Sequence, residues 1–363
     1  MGFKFDFAMT TENITLDGHI YNQENIDELG KTNAPKDSGH NAIYSFLQNW
    51  FDDSHFIPAH TSGSTGTPKT IQLSKQSMIN SARMTNHFFE LDAESSTLLC
   101  LPASYIAGKM MLVRALVGGF NLITAEPSAN PFENLAVPID FAAITPYQLF
   151  HSLKSLRTSL VRKIIVGGSP VTSKLESMTQ DIPVELYETY GMTETCSHIA
   201  LRRFNGEEKS DYFTTLEGVA IRSDERGCLV IHAPHLLKEV IITNDMVELV
   251  GSISFKWLGR IDSTINSGGI KIHPEQIERK LDSIIASNFF ITSLPDELLD
   301  NKVVLVIESE TYSSEQEEQL KIQLQGVLTR YEIPKQILYL SPFIYSAGNK
   351  ILRKQTLEQA LKS

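Results

Sequence analysis

The sequence predicts an α/β protein in which a large N-terminal domain precedes a small α+β domain. Continuous apolar runs at residues 98–102, 141–144 and 163–166 lead into turns rich in glycine, proline or serine. Such runs are typical of strands buried on both faces, and ligands gather at the carboxyl ends of strands in these sheets. At 363 residues and 42% hydrophobic composition, the chain can bury a full core and form two domains.

The composition argues against several classes of partner. The chain carries 32 Lys and Arg against 43 Asp and Glu, a formal charge of −11, which is the wrong sign for binding nucleic acid or anionic membranes. The cysteines Cys100, Cys196 and Cys228 form no C-x-x-C pair, so neither a disulfide framework nor a zinc site is indicated. No apolar run has the length of a membrane span, and Asp6 interrupts the start of the chain where a signal peptide would be apolar. We therefore expect a cytoplasmic protein.

The first 57 residues predict an extended start, a polar loop and a helix, and they carry no recognisable chemistry. The helix spans residues 40–51, with Ile43, Phe46, Leu47 and Trp50 at helical spacing. Further on, residues 71–73 predict a short strand, and Ser74 predicts the N-cap of a helix that runs towards Glu90.

Residues 60–69 have the character of a phosphate-binding loop. Glycines allow the backbone to approach an anion, successive N–H groups and hydroxyls can surround phosphate oxygens, and a lysine adds positive charge. The segment is not a Walker A loop, because Gly63 and Gly66 are three residues apart and Pro68 precedes Lys69. A flexible Gly/Ser surface loop with a chance lysine is the alternative.

A second candidate site follows the apolar run 184–187, where an aromatic residue, a glycine, a hydroxyl and an acid come close together. Tyr190 could stack on a base, and Glu194 could provide an oxygen ligand for Mg2+. A buried tyrosine beside a capped helix would give the same pattern. Asp245 ends another apolar run, where it could accept hydrogen bonds from ribose or serve as a turn residue.

We place the domain boundary after Gly259, giving domains 1–259 and 260–363. The second part predicts a helix from Pro274 with Ile277, Leu281 and Ile284 on one face. A strand at 303–307, a helix opening with a capping box from Ser314 to Glu317, a strand at 336–340 and a last helix follow.

These signals, in this order, resemble the adenylate-forming superfamily of acyl-CoA synthetases, luciferases and peptide-synthetase adenylation domains. The matching segments are the phosphate loop 61–69, the aromatic-Gly-x-Thr-Glu motif 190–194, Asp245, the hinge 259–262 and the C-terminal motif 348–353, in which Asn349 interrupts the usual Gly-Lys pair. The resemblance covers residues 57–357 and implies a large domain with mixed sheets and flanking helices, followed by a small mobile domain. The region before the phosphate loop is shorter than in most members.

Within this superfamily, the chain is most similar to the o-succinylbenzoate-CoA ligases of menaquinone biosynthesis. The similarity rests on residues 145–149, residues 166–170, the sequence from Ser267 to Glu278 and the C-terminal Lys-Ile-x-Arg. Tyr105 stands where many members have a histidine. The resemblance implies adenylation of the acid by ATP, with Mg2+, and then transfer of the acyl group to CoA.

The resemblance also implies a role for individual residues. Catalysis is assigned to Lys350, Thr193 and Glu194, and Mg2+ to Glu194. ATP binding is assigned to Thr61, Ser62, Gly63, Ser64, Thr65, Gly66, Lys69, Glu188, Thr189, Tyr190, Asp245 and Arg260. CoA binding is assigned to Ser267, Gly268 and Gly269, with Asp262 as the hinge. The acid is assigned to Tyr105, Lys109, Gly168, Ser169 and Ser197. All of these except Gly168 are also candidates for holding a second carboxylate, and a structural role for each is the alternative.

Two alternatives remain open. The same motifs would serve a ligase for another aryl or acyl carboxylate, and a nucleotide-binding protein without catalysis would keep part of them. Lys350, Glu194 and Lys69 argue against the second alternative, because a plain binder has no need of the lysine tail and the hinge. The sequence leaves the oligomeric state open, and a homo-oligomer is compatible with it.

Overall fold

The computed structural model describes residues 12–31, 39–60, 70–345 and 351–362. Within these residues the strands form a 13-stranded sheet, a five-stranded sheet and a two-stranded sheet. The larger sheet combines parallel and antiparallel strands and is flanked by helices, so the predicted α/β class with mixed sheets is confirmed. No helix in the described ranges has both the length and the apolar character that crossing a membrane requires.

The elements are numbered in chain order. The helices are α1 (Ile26–Gly30), α2 (Gly39–Phe51), α3 (Lys75–Phe89), α4 (Ile106–Gly118), α5 (Pro146–Leu156), α6 (Ser173–Ser177), α7 (Pro274–Leu281), α8 (Ser314–Val327) and α9 (Arg353–Ala360). The first ten strands are β1 (Ile14–Leu16), β2 (His19–Tyr21), β3 (Phe56–His60), β4 (Thr70–Ser74), β5 (Ser96–Leu99), β6 (Asn121–Thr124), β7 (Ile139–Ile144), β8 (Val161–Val166), β9 (Glu185–Gly191) and β10 (His198–Arg203). The others are β11 (Phe213–Thr215), β12 (Ala220–Ser223), β13 (Cys228–His232), β14 (Ile241–Val250), β15 (Ser254–Arg260), β16 (Ile265–Ser267), β17 (Ile270–Ile272), β18 (Phe289–Asp296), β19 (Asp300–Ile307) and β20 (Gln336–Tyr339).

One half of the large sheet is parallel, with β6, β5, β7, β8 and β9 side by side. Its strands are the continuous apolar runs of the sequence, and side chains such as Leu98, Phe141 and Ile164 are fully buried. Parallel strands end at the same edge, so the turns after β7, β8 and β9 meet there. The other half is antiparallel and runs from β10 through β11, β15, β14 and β13 to β12.

The predicted helix starts agree with the structure near the beginning of the chain. Helix α2 buries the four apolar residues predicted for one face, Ile43, Phe46, Leu47 and Trp50. Helix α3 begins after Ser74, whose hydroxyl accepts a hydrogen bond from the N–H of Ser77, and Glu90 follows its last residue in the left-handed region. A side-chain cap and a left-handed residue therefore mark the two ends of α3.

The five-stranded sheet places β20 beside β19 and carries α7 and α8 against it. Ile277 and Leu281 of α7 are buried, whereas Ile284 lies beyond the end of the helix. The capping box of α8 is one residue earlier than predicted. It joins Ser313 to Gln316, because each side chain bonds to the backbone N–H of the other.

The chain passes from the large sheet to the five-stranded sheet between Arg260 and Ile265, through a short 3-10 turn, Ile261–Ser263. The predicted boundary after Gly259 and the predicted hinge residue Asp262 both lie at this crossing. Rotation at this point stays a prediction.

Candidate active site

Tyr190 and Asp245 lie side by side although 55 residues separate them in the sequence, and the Tyr190 hydroxyl donates to Asp245 Oδ2 over 2.7 Å. The Tyr190 ring packs edge-on against Phe255, with ring centroids 5.0 Å apart. Trp257 Nε1 donates to Asp245 Oδ1 over 3.3 Å. Burial and the neighbouring Asp245 carboxylate raise the pKa of Tyr190, so its hydroxyl stays protonated and keeps donating. The structure thus joins the predicted base-stacking residue to the predicted ribose-binding acid.

Both residues lie within strands, whereas the sequence analysis placed Tyr190 in a turn and Asp245 at the end of an apolar strand, with a turn as the alternative. Strand β9 continues to Gly191 because Thr189 and Tyr190 pair with β10. Strand β14 continues to Val250, and its pairing with β15 is irregular immediately after Asp245, between Met246 and Val247. Irregularities of this kind redirect side chains next to functional sites.

Arg260, the second residue predicted to hold the ribose, pairs in register with Asp245 across β14 and β15. Its guanidinium donates to Asp262 Oδ2 over 2.6 Å, and this hydrogen bond raises the pKa of Arg260 and lowers that of Asp262. The predicted ribose contact and the predicted hinge residue are therefore directly bonded. The two side chains are 41% and 49% exposed, so the ion pair remains open to competition from water or a ligand.

The Glu188 carboxylate, predicted to contact ATP, is engaged by the protein itself. Its Oε1 accepts from the N–H of Val171 over 2.9 Å, and its Oε2 accepts from two guanidinium nitrogens of Arg202 over 3.0 and 2.6 Å. Arg202 also reaches Glu176 at 3.1 Å. Glu188 is buried and both of its carboxylate oxygens accept hydrogen bonds within the protein, so its side chain has a structural role here; its contact to ATP stays a prediction.

Thr193 and Glu194 lie on a 3-10 turn, Thr193–Thr195, directly after β9. The Thr195 hydroxyl fixes this turn by bonding to the Met192 and Ser197 carbonyls. Gly191 is required beneath it, because a side chain there would collide with the Ser197 and His198 backbone. Glu194 is exposed, and no described residue forms an ion pair with it. In the described ranges no three or more His, Cys, Asp or Glu side chains form a metal-binding group.

The turn after β8 carries Gly168 and Ser169, both exposed, and the neighbouring Thr189 hydroxyl donates to the Val166 carbonyl over 3.3 Å. At the start of α4, Tyr105 is 61% exposed. Lys109 is buried and donates from Nζ to the Pro58 carbonyl over 2.6 Å, and burial lowers its pKa. No hydrogen bond within the described ranges joins these predicted acid-binding residues to one another.

The fifth acid-binding candidate, Ser197, is bonded to a residue that the sequence analysis did not select. Arg114 Nη2 donates to Ser197 Oγ over 2.9 Å, and the arginine is 1% exposed. Its Nε has no partner, and no carboxylate of the described residues forms an ion pair with it. Burial lowers the pKa of Arg114 to about 9. The signal that could have found it is a lone arginine inside the apolar run of α4, Met-Met-Leu-Val-Arg-Ala-Leu-Val.

Comparison with known proteins places this chain in a family. The sequence profile described as AMP-binding enzyme matches residues 20–226, which is more than half of the chain. This chain belongs to the AMP-binding enzyme family. The predicted superfamily is thus confirmed, and with it the prediction of an adenylate-forming enzyme.

Individual relatives of this AMP-binding enzyme agree with the family. A crystal structure of an acyl-CoA synthetase (AMP-forming)/AMP-acid ligase II-like protein from Dyadobacter fermentans is 35% identical, with a TM-score of 0.59, covering 92% of this chain and 97% of that one. The 2-succinylbenzoate–CoA ligase of Haemophilus influenzae is 26% identical over 320 residues, covering 83% of this chain and 70% of the relative. The o-succinylbenzoate-CoA synthetase of Bacillus subtilis, solved with ATP and magnesium ion, is 21% identical with a TM-score of 0.70, covering 83% of this chain and 69% of that one, and shows the shared fold.

In this AMP-binding enzyme the predicted CoA-binding segment is the turn of a tight hairpin between β16 and β17. Ser267 pairs with Ile270, and Gly268 and Gly269 between them have φ of +59° and +82°. Two positive φ angles in a two-residue turn explain the two glycines on structural grounds. A role in CoA binding stays a prediction.

Two groups of predicted site residues lie outside the described residues. They are Thr61, Ser62, Gly63, Ser64, Thr65, Gly66 and Lys69 of the phosphate loop, and Lys350 of the C-terminal motif. The strands on either side of the loop, β3 and β4, pair with each other as an antiparallel ladder.

Proposed function

We propose that this enzyme is an ATP-dependent ligase that adenylates a carboxyl group of o-succinylbenzoate and transfers the acyl group to CoA, releasing AMP and pyrophosphate. The 2-succinylbenzoate–CoA ligases of Haemophilus influenzae and Escherichia coli, at 26% and 25% identity, support this substrate. The observation that carries the proposal is the 2.7 Å hydrogen bond between Tyr190 and Asp245, because it brings two predicted nucleotide-binding residues to one place.

The nucleotide would lie over the carboxyl ends of β8 and β9. Adenine would stack on Tyr190, and the ribose hydroxyls would donate to Asp245. Among the described residues, each of its two oxygens accepts one hydrogen bond, so each has a further lone pair. Arg260, bonded to Asp262 in this structure, could turn to the ribose from the next strand. Thr193 would bond the α-phosphate from the turn after β9.

The barrier to adenylation is mainly electrostatic, since a carboxylate must approach a highly charged nucleotide. Lys350 and the donors of the phosphate loop would offset this repulsion in the transition state. Mg2+ arriving with ATP needs only one or two protein carboxylates beside the phosphates, and the exposed Glu194 offers one. When bound, the ion would neutralise phosphate charge.

The second carboxylate of o-succinylbenzoate must be held without being activated. Arg114 is a buried cation without a carboxylate partner in the described ranges, and its hydrogen bond to Ser197 connects it to the predicted acid pocket. A buried charge of this kind favours an anion nearby. We assign Arg114 and Ser197 to this second carboxylate.

The second half-reaction would use the C-terminal domain, residues 260–363. Rotation about Asp262 would withdraw Lys350 and bring Ser267, Gly268 and Gly269 to the thiol. The N-terminal domain, residues 1–259, would hold the acyl-adenylate meanwhile.

The test is pyrophosphate release from ATP and Mg2+ with o-succinylbenzoate, beside benzoate, a coumarate and a medium-chain fatty acid, each with and without CoA. Release confined to o-succinylbenzoate, with a CoA thioester as product, is the expected result. Release with another acid would keep the ligase and replace the substrate. No release with any acid would favour a nucleotide-binding protein without catalysis.

Lys350→Ala tests the catalytic lysine. We expect it to abolish adenylate formation and to leave thioester formation from preformed acyl-adenylate intact. Lys354→Ala, an exposed lysine four residues later, is the matched control. Equal losses in both half-reactions would contradict the assigned role.

A further inference from the structure

The described residues on either side of segment 346–350 pair with each other. Tyr345 and Ile351, the residues on either side of it, form an isolated antiparallel bridge. The N–H of Leu352 donates to the Ile344 carbonyl over 2.8 Å. Residues 344–345 before the segment are therefore paired with residues 351–352, which directly follow Lys350 in the sequence.

The residues that follow the segment are held by a bidentate ion pair between Arg353, the first residue of α9, and Glu278 of α7. Arg353 donates from Nη1 and Nη2 to the two oxygens of Glu278, over 2.8 and 2.9 Å. Glu278 Oε1 also accepts from the N–H of Ile291 over 2.8 Å, and the guanidinium lies over the buried Phe290 ring at 5.5 Å. Two parallel hydrogen bonds fix direction as well as distance, so the orientation of Arg353 is set.

The residues that precede the segment are held by a second carboxylate, that of Glu308. The Tyr345 hydroxyl donates to Glu308 Oε2 over 2.6 Å and accepts from Asn288 Nδ2 over 2.9 Å. Glu308 Oε1 accepts from the N–H of Phe343 over 2.8 Å. Each side of the segment thus has its own carboxylate, one on α7 and one directly after β19.

We propose that Glu278 and Arg353 are positioning residues for adenylate formation, which fix the chain directly after Lys350. The inference rests on the proposed function, because it takes the role of Lys350 from there. Adenylation needs the ammonium beside the carboxylate and the α-phosphate, and a displacement of about 1 Å can cost about 100-fold in rate. The pair contacts no reacting atom and acts through the backbone that carries Lys350.

The test measures the two half-reactions separately in Glu278→Gln and Arg353→Lys. Glutamine keeps an oxygen for Ile291 but loses the charge, and lysine keeps the charge but loses the two-pronged geometry. We expect kcat for adenylate formation to fall about 10- to 100-fold with little change in KM for ATP. Thioester formation from preformed acyl-adenylate, which uses the same domain without Lys350, should be retained.

Lys280→Gln is the matched control. Lys280 forms a comparable pair with Glu332 from the same helix, over 2.7 and 2.8 Å, and this pair shares no hydrogen bond with Tyr345 or Arg353, so both half-reactions should stay at wild-type rates. Equal losses in both half-reactions together with a lower melting temperature would show a purely structural pair and overturn the inference. If both Glu278→Gln and Arg353→Lys adenylate the acid at the wild-type rate, the inference is overturned and the proposed function stands. A wild-type enzyme that adenylates no acid would overturn the proposed function and this inference with it.

Discussion

Arg114 of α4 and Arg202 of β10 are both buried, yet their surroundings are opposite. Arg202 is 3% exposed and bonds to two carboxylates, Glu188 and Glu176. Arg114 is 1% exposed and bonds to Ser197 Oγ and to Met111 Sδ, with no ion pair inside the described ranges. Burial lowers the pKa of both arginines, but Glu188 and Glu176 outweigh it at Arg202, whose pKa is raised.

This difference separates a structural charge from a functional one. A buried charge that is fully paired is balanced within the protein and has no need of a ligand. A buried charge without an acid lowers the free energy of unfolding until an anion binds beside it. Such a charge is expected where the protein needs it to bind a ligand. Arg202 therefore belongs to the scaffold, and Arg114 is the candidate for substrate recognition.

The largest effect is expected from removing an acid at the paired site. Glu188→Ala leaves Arg202 and the Val171 N–H without their partner, so the free energy of unfolding should fall by about 3–5 kcal/mol. Urea unfolding measures it. Asp181→Asn, which breaks the exposed pair with Arg157, is the control and should leave the midpoint unchanged. If both variants behave alike, the Arg202 network contributes no more than a surface pair.

The unpaired site should respond in the opposite way. Arg114→Met removes a buried charge from apolar surroundings, so the free energy of unfolding should stay the same or rise. The acid should bind about 2–3 kcal/mol more weakly, since a hydrogen bond to a charged group is lost, which corresponds to a KM roughly 30- to 150-fold higher. Urea unfolding and steady-state kinetics with o-succinylbenzoate measure the two effects. Loss of stability with an unchanged KM would make Arg114 a second structural arginine.

The smallest effect concerns pH and the histidine beside Arg114. Burial, with the nearby Arg114 charge, lowers the pKa of His198 well below 6.5, and its ring lies 3.3 Å from the Thr85 hydroxyl. As pH falls below 6.5, the unfolded chain binds a proton at His198 that the folded chain does not bind. The contribution of this histidine to the free energy of unfolding is therefore fully present above pH 6.5 and is lost as pH falls below it. Between pH 6.5 and 5.5 the loss should be about 1 kcal/mol for this single group.

His198→Gln should remove that share of the pH dependence, as measured by urea unfolding at pH 6.5 and 5.5. The difference between wild type and variant isolates this histidine from the carboxylates that titrate lower. An identical pH dependence in both proteins would mean that His198 accepts a proton in the folded state, which would contradict its burial beside a cation.

Local sequence patterns are enough to locate most of the elements and to identify the family. The apolar runs predict the parallel strands because a strand covered on both faces is built mainly from apolar side chains. Ser74 predicts the start of α3 because its hydroxyl accepts a hydrogen bond from the nearby N–H of Ser77. Motif order identified the superfamily. Predictions failed where pairing between strands decided the outcome, as when β9 extended through Tyr190 and β14 extended past Asp245.

Which charged residues are free to act, by contrast, depends on the folded structure. The Glu188 side chain is bonded to Arg202, 14 residues away, and Arg114, which sequence reasoning did not select, is buried without an ion pair among the described residues. Likewise, the fold brings Tyr190 and Asp245, 55 residues apart in the sequence, into hydrogen-bond contact. The physical reason is that partners and burial depend on contacts distant in the sequence, whereas caps and apolar periodicity depend on neighbours.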